Sequence, residues 1–142
     1  MTVWTDTVAA FLTSALAGGM LFFAFVFAPL VFRTLPAEAA GRLIRQVFPV
    51  YYRVSGATAL AAGVLALPGA APWAGAVLLV IAALFAVARQ GLMPRINALR
   101  DRELQGDAKA GARFARLHRL SVAINMVQLL LAVVLALILI AA

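Results

Sequence analysis

Apolar and polar positions fall along this chain in long blocks rather than in short alternation. Residues 7–32, 54–88 and 120–142 carry no charged side chain, and these blocks are 26, 35 and 23 residues long. An α-helix needs about 20 apolar residues to cross a hydrocarbon core roughly 30 Å thick, so the first and third blocks predict one span each. The middle block is too long for one span and is interrupted by Pro68, Gly69, Ala70, Ala71 and Pro72, backbone breakers that suit a tight turn. It reads as two helices. The predicted spans are 7–32, 48–67, 73–93 and 119–141, which makes an all-α, integral membrane four-helix bundle in one domain, residues 1–142. The first span has no basic leading region and is too long for a secretory signal, so it is expected to be retained.

Between the spans, residues 36–48 place Leu43, Ile44, Val47 and Phe48 on one helical face, a pattern that suits a helix lying in the membrane interface. The connection between the last two spans is expected to extend both as a helical hairpin, with Gly106 ending one helix and Asp107 capping the next. Pro29 and Pro94 occupy similar places in the first and third spans, too little for an internal repeat.

Charge then orients the bundle. Of 142 residues, 65% are hydrophobic and 12% charged, about half the charged share of a soluble domain. All twelve basic residues lie in two segments: Arg33 to Arg53 after the first span, and Arg89 to Arg119 around the hairpin. In a four-span chain these two segments share a face. Retention of Lys and Arg in the cytoplasm puts both basic loops and the hairpin there and both termini outside, in the inner (plasma) membrane of a bacterium. The net charge of +7 would suggest nucleic acid in a soluble protein, but here it flanks apolar spans, so anionic headgroups are the expected partner.

Within the spans, small residues recur every fourth position: Ala10, Ser14 and Gly18; Ser55, Ala59 and Gly63; Ala82 and Ala86. In lipid such stripes let helices approach closely, and helix packing is their expected role. The fourth span carries a polar stripe, His118, Ser121, Asn125 and Gln128, at steps of three, four and three. Gln128 lies roughly 15 Å beyond His118, near mid-bilayer if His118 sits at the interface. The stripe either makes interhelical hydrogen bonds, worth about 0.6 kcal/mol each, or lines a path or pocket. Arg53 and Arg89 each sit about one turn inside a predicted span. They either snorkel to the headgroups or, with Gln90, form an anion-attracting vestibule.

Catalytic constellations are missing. One His, no Cys, no paired carboxylates and no phosphate-binding glycine loop leave no nucleophile with an oriented base, so neither enzymatic activity nor a metal or other cofactor is expected. No predicted span contains a carboxylate, whereas proton-coupled cation exporters keep one at membrane depth. Any cargo is therefore expected to be neutral, amphiphilic or anionic.

Several motifs together carry a family resemblance. Gly18-Gly19-Met20-Leu21-Phe22-Phe23 leads into Ala28-Pro29-Leu30-Val31-Phe32. Val47-Phe48-Pro49-Val50-Tyr51-Tyr52 opens the second span, and Arg113-Phe114-Ala115-Arg116-Leu117-His118-Arg119-Leu120-Ser121 precedes Asn125. In this order, over nearly the whole chain, they resemble the transmembrane-protein-205-like family, also described as a domain of unknown function (DUF4149). The resemblance implies a four-helix membrane protein and, from the family's animal members, a link to platinum-drug resistance and export. It implies no reaction and no ligand.

The functional expectation is binding or transport of a small molecule by a homo-oligomer, since four helices alone enclose little space. The alternative is an accessory subunit whose basic hairpin docks a cytoplasmic partner or anionic lipid.

Overall fold

The computed structural model describes residues 2–142, and among them the secondary structure is entirely helical. The chain runs as α1 (Thr2–Phe22), a π-helical turn (Phe23–Phe27), α2 (Ala28–Thr34), α3 (Ala37–Ala66), α4 (Pro72–Val87), a second π-helical turn (Ala88–Leu92), α5 (Met93–Leu104) and α6 (Ala108–Ala141).

Both π-turns have the same cause. A proline inside a helix has no N–H to donate, and its ring crowds the carbonyl four residues back. Here Pro29 and Pro94 each follow a turn widened by one residue, closed by Ala28 N–H on Phe23 O and by Met93 N–H on Ala88 O. The helices therefore pass through both prolines without breaking. Pro36 does end a helix, because the residue before a proline is driven to extended backbone: Leu35 sits at φ −106°, ψ 147°.

α3 departs from the sequence reading in one respect. Residues 36–48 do not form a separate interfacial helix; they are the first turns of α3, which continues through Pro49 to Ala66, about 45 Å in all. Arg45 holds this segment in line by donating to Asp101 Oδ1 (2.6 Å) and to the Asn97 carbonyl (3.4 Å) of α5.

Between α5 and α6, Gly106 takes φ +98°, open to glycine at little steric cost. Asp107 N–H reaches Arg102 O at 3.1 Å and Gly106 N–H reaches Glu103 O at 2.9 Å, the paired bonds of a Schellman ending. Asp107 then caps α6 by accepting from Ala110 N–H at 3.0 Å. That bond, assisted by Arg102, holds the Asp107 carboxyl below the ordinary carboxylate range.

The helices pack as a circuit: α3 against α4 and α1, α1 against α6, and α6 against α5. The core is rich in alanine, with Ala59, Ala62, Ala74 and Ala132 buried around Met20, Leu78, Ile81 and Phe85. Close approach is greatest between α3 and α4. A Cβ added to Gly75 would lie 2.8 Å from Gly63 O and 2.9 Å from Leu67 N, so the two backbones touch there.

Away from the basic segments the outer surface is largely apolar. Trp4, Phe11, Phe25, Val54, Leu130 and Leu137 all face outward, a surface that water would not support. Three helical rods, Val3–Thr34, Pro72–Leu104 and Ala108–Ala141, are long and apolar enough to cross a membrane. The chain is a small membrane protein. α3 matches them in length, but its apolar half also carries Tyr51, Tyr52, Arg53, Ser55 and Thr58.

The molecule has two chemically distinct ends. At one, the Asp6 carboxylate lies against Gly69 so closely that a side chain at Gly69 would collide with it. At the other, Arg45 of the first basic segment bonds Asp101 of the second. About 31 Å of helix separates Arg45 from Ala66, so the two basic segments share one end and the Gly69 turn occupies the other. The basic end gathers twelve cations and four anions, for a net charge of +8, against −1 from Asp6.

Candidate functional site

Tyr52, Gly56 and Leu60 follow one another at four-residue steps on α3, flanked by Arg53 and Ala57. Facing them, Ala82, Ala86, Arg89 and Gln90 stand at i, i+4, i+7 and i+8 along α4 and its π-turn. Between the two faces lies an open groove of about 450 Å³, within the roughly 300–1,000 Å³ range of small-molecule sites. Its hollow comes from small residues. Gly56 lies where the two helices come together at its floor, since an added Cβ there would stand 3.3 Å from Phe85 Cβ.

The groove is apolar along its floor and cationic at one mouth. Arg53, Arg89 and Gln90, singled out from the sequence by their depth, all line it. Arg53 donates from Nε to Pro49 O at 3.3 Å, the carbonyl one turn back. Arg89 Nε is buried and has no hydrogen-bond partner. Among the described residues neither guanidinium has a carboxylate within 4.0 Å. The acids of the basic end are engaged elsewhere: Glu38 with Arg42, Asp101 with Arg45, Glu103 with Arg100 and Asp107 with Arg102.

The polar stripe of α6 divides. Asn125 Oδ1 accepts from the Tyr51 hydroxyl at 3.1 Å, and Ser121 Oγ lies 3.5 Å from the Tyr52 hydroxyl. Gln128, 2% exposed, donates from Nε2 to Ile81 O at 3.2 Å. These three join α6 to α3 and α4. His118 stands apart: it is exposed and stacks on Phe114 of its own helix at 5.7 Å, with the Arg100 guanidinium 5.4 Å from the Phe114 ring centre.

Tyr52 connects the stripe to the groove, since it lines the groove while its hydroxyl reaches Ser121. It belongs to an aromatic cluster in which Phe23, on the first π-turn, stacks on Tyr51 at 4.2 Å, and Phe48, Tyr52 and Phe85 pack edge-on or tilted around them. From the sequence, Tyr51 and Tyr52 entered only through the family motif, and Phe48 also through the apolar face of residues 36–48. Their four-residue steps to Ser55 and Gly56 were the missed signal.

Among the packing residues, Ser55, Ala59 and Gly63 are buried. Ser14 bonds its own helix through Ala10 O at 2.8 Å. Gly18 is exposed with nothing within 4 Å of an added Cβ, so within this chain it holds no helices together. The glycine that does meet Gly63 is Gly75, which belonged to no four-residue stripe.

A second open cleft, about 480 Å³, lies at the opposite end between Asp6, Ala10 and Ser14 of α1 and Leu139 and Ile140 of α6. Among the described residues that line it, none is cationic.

A family model described as "Domain of unknown function (DUF4149)" matches residues 11–105, which include Arg53, Arg89, Gln90 and the whole groove. No curated protein and no solved structure matches the chain. Because the match covers two thirds of its length, the chain belongs to the DUF4149 family.

Proposed function

We propose that this protein is a four-span bundle of the bacterial inner membrane that binds or transports an amphiphile in the groove between α3 and α4. The observation that carries this reading is the shape and polarity of the groove: an apolar channel with Arg53, Arg89 and Gln90 at one mouth. In this arrangement α3 is the fourth span, packed between α1 and α4, where Tyr51, Tyr52 and Ser55 face protein and the Thr58 hydroxyl is satisfied by Val54 O of its own helix. The basic end lies in the cytoplasm, following retention of Lys and Arg, and both termini lie outside. A homo-oligomer would enlarge the path, and the apolar outer faces of α1 and α6 supply area for it. The finer kinship, with the transmembrane-protein-205-like group, is part of the same proposal and rests on the motifs around Gly18, Phe48 and His118.

The test is binding and flux of a fluorescent single-chain amphiphile with the purified protein in proteoliposomes. Ala57→Leu with Ala83→Leu fills the groove from two exposed wall positions, and loss of binding is the expected result. Wild-type binding and flux in the filled variant would refute the proposal.

A second reading has its own observation. Lys109, Arg113, Arg116 and Arg119 are exposed along the first three turns of α6 and, among the described residues, have no acid within 4.0 Å, which suits an accessory subunit docking an acidic cytoplasmic partner. It requires that neutralising Arg113 and Arg116 abolish the cellular phenotype while the groove-filled variant retains it.

A further inference from the structure

We infer that the groove between α3 and α4 is a site for an anionic phospholipid of the leaflet at the basic end, with its phosphate between Arg53 and Arg89 and one acyl chain along Gly56, Ala57 and Ala83. The inference rests on the amphiphile reading above and adds to it the occupant's charge and the leaflet it comes from.

Three observations converge. The first is length. From Arg53 to Leu60 the groove follows α3 for about 10 Å, and from Leu79 to Arg89 it follows α4 for about 15 Å. Half of a roughly 30 Å hydrocarbon core is about 15 Å. The groove is therefore one leaflet deep, the length of a tail whose headgroup lies at the mouth.

The second is charge. Arg89 Nε is buried without a partner, and the acids of that end are paired with other arginines. A buried guanidinium donor without an acceptor is costly. A phosphate oxygen would supply an acceptor in the planar, forked geometry that arginine favours once the Arg89 side chain turns its buried edge to the mouth.

The third is the wall. Gly56, Ala57, Ala83 and Ala86 offer no polar side-chain group, so a ligand polar along its length would lose hydrogen bonds there. The donors are at the mouth, from the two arginines and the Gln90 amide, while the Tyr52 hydroxyl is taken up by Ser121. A polar head and an apolar tail fit that division.

Snorkelling of the two arginines to bulk headgroups is the competing account. It gives no preference for one lipid at this place. The experiment is competition of phosphatidylglycerol against phosphatidylcholine of equal chain length for a tail-labelled lipid, using the full chain in detergent micelles at fixed salt.

The wild type is expected to prefer phosphatidylglycerol by about tenfold, the effect of roughly 1.4 kcal/mol. Arg53→Gln with Arg89→Gln should bring that ratio close to one while the labelled lipid still binds. Arg113→Gln with Arg116→Gln, away from the groove, should leave the ratio unchanged.

Equal affinity of the two lipids for the wild type overturns this inference and leaves the amphiphile reading standing. Loss of the preference in the Arg113 and Arg116 variant also overturns it, because the selectivity would then belong to the charged surface. Unchanged labelled-lipid binding when Ala57→Leu and Ala83→Leu fill the groove overturns both.

Discussion

Replacing Gly75 with alanine tests how α3 and α4 are held together. A Cβ at Gly75 would stand 2.8 Å from Gly63 O, 2.9 Å from Leu67 N and 3.2 Å from the Ala66 carbonyl carbon. All three are backbone atoms of α3 and its end, so no side chain can swing aside, and the helices must separate by several tenths of an ångström. Such overpacking costs about 1–3 kcal/mol. Against it, alanine gains up to ~1 kcal/mol over glycine from helix propensity alone. Gly18→Ala receives the propensity gain without the clash, since nothing lies within 4 Å of its Cβ, and it is the proper reference. Gly75→Ala should therefore be less stable than Gly18→Ala by about 1–3 kcal/mol. Gly63→Ala should fall between them, because it meets a single backbone atom, Gly75 O at 3.0 Å, and otherwise the flexible Leu79 side chain at 2.9 Å. Reversible unfolding in mixed micelles, followed by fluorescence of Trp4 and Trp73, measures the series. Equal stability of the Gly75 and Gly18 variants would refute the backbone contact between α3 and α4.

Three further outcomes are expected. The chain has no cysteine, so Ala70→Cys and Lys109→Cys report topology cleanly: an impermeant thiol reagent applied from outside should label the first and spare the second, and labelling of both would end the four-span reading. Tyr51→Phe and Asn125→Leu should couple in a double-mutant cycle by about 0.6 kcal/mol, the average for interhelical hydrogen bonds in membranes, and strictly additive losses would dissolve the α3–α6 link. Asp107 should titrate by NMR below the ordinary value of 3.8. Because its folded pKa is depressed, its stabilisation of the hairpin is complete above the ordinary carboxylate range and is lost as pH falls through the folded value; a midpoint at or above 3.8 would contradict the cap.

The helical class and the membrane character were legible because uncharged blocks of more than 20 residues have few other uses. Gly106 and Asp107 were legible as an ending and a cap because their residue types suit those backbone positions. The depth of Arg53, Arg89 and Gln90 could be read from spacing, but the hollow beside them could not, since it depends on which faces of α3 and α4 meet. Periodicity says which residues share a face and leaves open which face they meet. That is why Gly18 read as a contact and turned out to be open, while Gly75 went unnoticed. The π-turns were hidden for a related reason: Pro29 and Pro94 predict a disturbance, and only packing decides between a break and a widened turn. The unbroken α3 has the same origin, because the link from Arg45 to Asp101 joins residues 56 positions apart.

The lopsided distribution of charge has an electrical consequence. Turning the molecule over in an energised membrane would move its basic end across the potential, at about 2.3 kcal/mol per charge for each 100 mV, or on the order of 18 kcal/mol for a net charge of eight. Thermal motion does not supply that. Given the proposed orientation, any assembly of several copies would contain protomers that all point the same way, with their charged ends gathered together.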